Sequence, residues 1–268
     1  MTLLKNRRIF AGIFALAVST SMLPLPLGGD AVAQINFNPK TLVWYASYGS
    51  NLNRQRFMCY IKGCTPPGAT SPNPGCRDSS DPLADKPHVL PQYELYFADE
   101  ERSIAKWGGA SAFIRHAANS KVLGRMYLIT YEQFNDVVLQ ENGVERREKL
   151  ANVLPAPESI DRKAGLKLHT PDSLYDQPKT ANPLYDHLVY IGSEDGHPIF
   201  SFTTSNKELP IGAPTLAYLG RIVPGLREAY PAMPEDEIYS YLSQAQGIRS
   251  KIAPDQLRDW VSQLLRKK

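Results

Sequence analysis

Residues 41–52 read Thr41-Leu42-Val43-Trp44-Tyr45-Ala46-Ser47-Tyr48-Gly49-Ser50-Asn51-Leu52. The first seven are apolar, aromatic and β-branched, the pattern of a short buried strand. The run stops at Tyr48-Gly49-Ser50-Asn51, residue types that tolerate left-handed backbone or cap helices. A helical pattern follows over 52–61, with Asn53, Phe57, Tyr60 and Ile61 on one side. A strand, a tight turn and a helix in this order place backbone N–H groups at a helix N-terminus, where the dipole favours an anion. Ser50 and Asn51 can cap that helix or bond a ligand carboxylate, and an ordinary capped turn uses the same residues.

Outward from this stretch, further strands are expected at 93–98, 110–114, 122–129, 187–191 and 199–203. Residues 64–86 read as a proline- and glycine-dotted loop, and 153–183 as an irregular excursion. Helices are expected over 215–230 and 234–244, the second opening on Pro234 with three acidic residues in its first turn. A last amphipathic helix spans 254–265, with Leu257, Trp260, Val261 and Leu264 on one stripe. No period repeats. The elements describe one mixed α+β domain with a helical C-terminal edge.

Two other stretches carry chemistry. Thr130-Tyr131-Glu132-Gln133 is a capping-box start, and Phe134, Val137 and Val138 form the apolar face of the helix it opens. Glu141 is the next member of that series, a carboxylate aimed at the core side just before the stop signal Asn142-Gly143. A general acid or base suits this position, and a solvated end-of-helix glutamate is the plain alternative. Trp107-Gly108-Gly109-Ala110-Ser111-Ala112 leads small residues into a strand, which allows close backbone approach by a ligand or by another element.

The chain has 268 residues, a formal charge of +3 and 43% hydrophobic content, enough for a real core and too balanced to argue for nucleic acid. Residues 1–33 read as an export signal. Lys5, Arg7 and Arg8 precede the apolar stretch 9–18, and Ala31-Val32-Ala33 is an A-x-A site predicting cleavage before Gln34. Arg7-Arg8-Ile9-Phe10 also matches part of the twin-arginine pattern, so Sec and twin-arginine export both stay open. The expected location is periplasmic or extracellular, with no membrane attachment after cleavage, and 34–268 form the single mature domain.

With these pieces in place, the chain resembles the gamma-glutamylcyclotransferase family. The strand followed by Tyr48-Gly49-Ser50-Asn51-Leu52 looks like the family's signature loop, and residues 90–97 are similar to its second strand. Gly108-Gly109-Ala110-Ser111-Ala112 resembles its G-G-x-A strand, and Gly124-Arg125-Met126-Tyr127-Leu128 the strand before its catalytic helix. Phe202-Thr203-Thr204 with Pro214 and Tyr218 looks like the later strand and helix start, Thr215 standing where the family has serine. The resemblance covers about 42–242, with insertions at 64–86 and 153–183, and Asn142 intervenes where the family has glycine directly after its glutamate. It implies a mixed closed β-barrel flanked by helices, with the pocket at one mouth. Glu141 would be catalytic, and Tyr48, Gly49, Ser50, Asn51, Leu52, Gly109 and Tyr218 would bind substrate. The reaction implied is cyclisation of a γ-glutamyl group to 5-oxoproline with release of an amine or amino acid, with no metal and no other cofactor.

Two alternatives stand beside it: a catalytically silent small-molecule-binding or interaction protein on the same fold, and a deacetylase or other amide hydrolase. The five histidines, His88, His116, His169, His187 and His197, show no H-x-x-x-H or H-E-x-x-H spacing. With three cysteines, one disulfide and one free thiol are expected. The natural clamp joins helix to loop as Cys59–Cys76, and Cys64–Cys76 would tie the loop to itself.

Overall fold

The computed structural model describes residues 38–65, 72–169, 172–174 and 183–266. The export signal proposed for 1–33 lies outside the described residues. Strand β1 (Leu42–Ser47) lies at the centre of a six-stranded sheet with β2 (Ala84–Ala98), β3 (Ser111–Thr130), β4 (Leu166–Lys167), β5 (His187–Glu194) and β6 (His197–Thr203). The order across the sheet is β2-β3-β1-β6-β5-β4. β1 runs antiparallel to β3, from Leu42 opposite Thr130 to Ser47 opposite Arg125, and parallel to β6 through Trp44/Ile199 and Tyr45/Phe200.

Pleating explains why β1 lacks polar alternation. Trp44 and Ala46 enter one core and Val43 and Tyr45 the other, so both faces of the strand are covered. On the first face lie α4 (Leu216–Ala229), α5 (Glu235–Gln244), the short α6 (Ile248–Lys251) and α7 (Pro254–Arg266). They contribute aliphatic residues such as Leu219, Ile222, Leu226, Ile238, Val261 and Leu264. On the second lie α1 (Arg54–Lys62) and α3 (Tyr131–Glu141), where Phe57, Tyr60 and Phe134 meet Tyr45, Tyr127, Phe200 and Phe202.

The mixed α+β architecture with flanking helices is as expected, but the sheet is open, not a closed barrel. Its edges are β2 and the two-residue β4, which do not pair with each other. The strands expected at 110–114 and 122–129 are one strand, β3. Its polar middle holds a bulge where the register against β2 shifts between Pro91 and Tyr93, with Gln92 (φ 62°) and Asn119 (φ 66°) in the left-handed region. β2 starts at Ala84, inside the segment read as loop, and carries Pro87 and Pro91, which an edge strand tolerates. The β5–β6 connection is the two-residue turn Asp195-Gly196, both residues at positive φ. Among the described residues no helix is long and apolar enough to cross a membrane.

The disulfide is Cys59–Cys64, correcting the expected Cys59–Cys76 pairing. α1 ends at Lys62, and Gly63 (φ 80°) reverses the chain so that the Cα atoms of Cys59 and Cys64 lie 5.0 Å apart. Cys76 is the free, buried cysteine, and its thiol donates to the Tyr60 carbonyl at 3.2 Å.

Candidate active site

The site begins where β1 ends. Ser50–Leu52 form one 3-10 turn, closed by the Leu52 amide donating to the Gly49 carbonyl at 3.1 Å and the Asn53 amide to the Ser50 carbonyl at 3.3 Å. The amides of Gly49, Ser50 and Asn51 therefore occupy the open end of the turn. The cap of α1 is Asn53, whose side chain accepts from the Arg56 amide at 2.9 Å, rather than Ser50 or Asn51. Arg125 braces the turn from β3: it reaches the Leu52 carbonyl at 3.4 Å while paired with Asp85 and Glu228.

Gly49 does not adopt the left-handed backbone that the sequence suggests (φ −108°). Its small size serves a close approach instead, since a Cβ there would lie 3.2 Å from the Tyr218 hydroxyl. Tyr218 enters from the first turn of α4, capped by Thr215, and its hydroxyl accepts from the Ala112 amide at 3.1 Å. Burial pushes its pKa up to about 12, with the hydrogen bond from Ala112 opposing the rise and the charge of Glu141 adding to it.

Glu141 arrives from the opposite side as the last residue of α3. The capping box expected at Thr130 and Gln133 is present, and Phe134, Val137 and Val138 are fully buried. Glu141 itself is half-buried, and its Oε1 accepts from Asn51 Nδ2 at 2.8 Å. Asn51 Nδ2 also donates to the Tyr45 hydroxyl at 3.2 Å, whereas Asn51 Oδ1 is buried without a partner. Burial drives the pKa of Tyr60 well up; the Arg56 guanidinium beside it opposes this and Glu141 adds to it, which places the phenol next to the carboxylate.

These groups line a small pocket whose mouth is open to solvent. Of the expected site residues, Tyr48, Gly49, Ser50, Asn51, Glu141 and Tyr218 line it; Leu52 and Gly109 do not. Leu52 is a fully buried core residue packed on Gly225 of α4. Gly109 is a packing position: a Cβ there would lie 2.8 Å from the Ala213 carbonyl and 3.0 Å from Thr215 Cγ2. Its smallness lets the chain before α4 close down, which sets Tyr218 in place.

Tyr45, Tyr185 and Phe202 complete the wall and were not singled out by the sequence. Tyr45 stacks on Phe202 at 5.1 Å between ring centroids, and Tyr185 meets the same ring edge-on at 5.2 Å. Asn142, the residue that separates Glu141 from Gly143, clamps Tyr185: its Oδ1 accepts from the Tyr185 amide at 2.8 Å and its Nδ2 donates to the Tyr185 carbonyl at 3.1 Å. Among the described residues no group of three or more His, Cys, Asp or Glu side chains comes together as a metal-ligand set.

None of the protein-family models matches the chain. A curated relative, Histone deacetylase 5 of Arabidopsis thaliana, is 33% identical over 218 residues, covering 77% of this chain. The chain spans 31% of that protein's length. Among solved structures it is similar to a gamma-glutamyl cyclotransferase, at 14% identity and a TM-score of 0.43, covering 83% of this chain and 99% of the other. An uncharacterised protein from Homo sapiens is similar at 15% identity and a TM-score of 0.41, covering 82% and 98%.

Proposed function

We propose that the chain is a gamma-glutamylcyclotransferase-like enzyme that converts a γ-glutamyl compound into 5-oxoproline and a free amine or amino acid. One observation carries this reading: Glu141 is held 2.8 Å from Asn51 Nδ2 in a cavity that the 48–51 turn lines. Such chemistry needs little apparatus. The substrate's α-amine attacks its own γ-carbonyl carbon, forming the ring C–N bond, and the original amide C–N bond then breaks. The amine is tethered to the carbonyl it attacks, so a cavity that folds the substrate supplies the proximity. Glu141 takes the proton from the attacking nitrogen and returns it to the departing one, which leaves as a neutral amine.

The remaining residues position these atoms. Asn51 orients the carboxylate, and the amides at the open end of the turn offer donors to the oxygen that gains charge as the carbonyl becomes tetrahedral. Tyr45, Tyr185 and Phe202 wall one side of the reacting atoms. On the reading of 1–33 as an export signal, this reaction takes place outside the cytoplasm.

The test is 5-oxoproline release from a panel of γ-glutamyl amines and peptides. Turnover on at least one, abolished in Glu141→Gln, is expected. No release from any of them rejects the enzyme reading in favour of a silent binding protein on the same fold.

A further inference from the structure

On the Tyr60 side of Glu141 lie three cations that the cyclisation does not use. Arg56 is 2% exposed; its guanidinium donates to Asn73 Oδ1 at 2.7 Å and to the Tyr60 hydroxyl at 2.5 Å, and its Nε is buried with no partner. Its Cζ sits 4.2 Å from the Tyr60 ring centroid. Lys106, in the short helix α2 (Glu101–Trp107), brings Nζ to 6.0 Å from the same ring and 5.6 Å from that of Trp107. Trp107 in turn packs on Tyr218 at 5.0 Å, and Arg221 follows Tyr218 by three residues on α4, the spacing of side chains on one helix face.

Among the described residues none of these three cations has a carboxylate within ion-pair distance. They sense one another. Crowding by protein, and then the charge of Arg56, lowers the pKa of Lys106 to about 8, with Glu141 and Glu145 opposing. The Lys106 residue as a whole is exposed, so solvent screens part of this effect. Burial and Arg56 likewise lower the pKa of Arg221. Like charges gathered beside a low-dielectric wall repel, and an incoming anion relieves that repulsion.

We propose that Arg56, Lys106 and Arg221 form a carboxylate receptor beside the Glu141 cavity, selecting ligands that carry a free carboxylate. The assignment of that carboxylate to a substrate rests on the γ-glutamyl reading of the cavity. It then belongs either to the α-carbon of the glutamyl group or to the departing amino acid.

The receptor is tested by calorimetric binding to the full chain and to Lys106→Gln and Arg221→Gln, with glutarate and its neutral isostere glutaramide as probes. Glutarate is expected to bind the wild type and to lose about tenfold or more in affinity with either substitution. Lys106→Arg, which keeps the charge, is expected to retain binding even if a glutamine variant folds poorly. Equal binding of the two probes, no glutarate binding, or glutamine variants that bind like the wild type each overturn the receptor. Binding of γ-glutamylalanine, γ-glutamylethylamine and 4-aminobutyrylalanine to Glu141→Gln locates the source. Loss with the ethylamine compound assigns the departing group's carboxylate, and loss with the aminobutyryl compound the α-carboxylate. Equal binding of all three overturns the substrate assignment. Charge-dependent glutarate binding without 5-oxoproline release keeps the receptor and rejects the cyclotransferase reading.

Discussion

The two faces of the sheet are built from different chemistry. The α4, α5 and α7 face is mainly aliphatic, with Leu219, Ile222, Leu226, Leu242 and Val261 fully buried. The α1 and α3 face is aromatic and carries buried polar groups: Arg56, Gln133, Asn135 and Asp136 are all nearly inaccessible. Asn135 and Asp136 hold irregular chain. Asn135 Oδ1 accepts from the amides of Val153 and Leu154, and Asp136 takes the Arg77 guanidinium and amide. An aliphatic face stabilises through area and shape, whereas a polar aromatic face fixes positions through directional bonds. Glu141 ends a helix of the second face, and its carboxylate is held by a directional bond from Asn51.

The sharpest way to separate the faces is Glu141→Gln, which keeps shape and the bond to Asn51. It should slow 5-oxoproline release by at least about a hundredfold while leaving the melting temperature near the wild-type value. Wild-type turnover in this variant rejects Glu141 as the proton carrier. Leu226→Ala on the aliphatic face should do the reverse, removing about 2–5 kcal/mol of stability while the fraction still folded turns over normally. Denaturant melts paired with rates per folded molecule measure both.

A smaller effect is expected from Cys64→Ser, which opens the Cys59–Cys64 loop at the end of α1 at a cost of about 2 kcal/mol. Equal melting with and without reductant would count against a stabilising role for the bridge. The smallest effect is in pH. Anion binding should fade as pH rises through about 8, where Lys106 loses its charge. Stability runs the other way for this group, because the unfolded chain keeps its lysine protonated up to about 10.5. Lys106 alone thus favours the folded state more as pH climbs between those values. Glutarate titrations at pH 7 and pH 9 on wild type and Lys106→Gln isolate the effect, since the variant should show no such fading.

Local signals were legible in the sequence: the β1 run, the Thr130 capping box and the stripe of α7, whereas only the family resemblance put Glu141 and the 48–51 turn in one site. Helix α2 was missed because its pattern is inverted, with Ser103 buried and Ile104 half-exposed. The β3 bulge was hidden because its polar middle looks like a break between two strands. Tyr185 gave no signal, since it follows an irregular segment, and Phe202 was marked only as part of a strand, not as a wall of the cavity. The residues left Gly109 open, because a glycine beside a ligand and a glycine beside another backbone look the same in sequence, and the resemblance alone put it in the site.

One ladder has a further meaning. β1 meets β6 through only two residue pairs, Trp44/Ile199 and Tyr45/Phe200, and that parallel seam joins β2-β3-β1 to β6-β5-β4. Tyr45, Tyr48 and Asn51 stand on one side of it, and Tyr185 and Phe202 on the other. Closing the seam brings together segments some 150 residues apart, a step whose loop-closure entropy places it late in folding. During refolding, helical signal and the antiparallel β2–β3 pairing should therefore recover before the cavity exists. Regain of ligand binding is the reporter for the final assembly step.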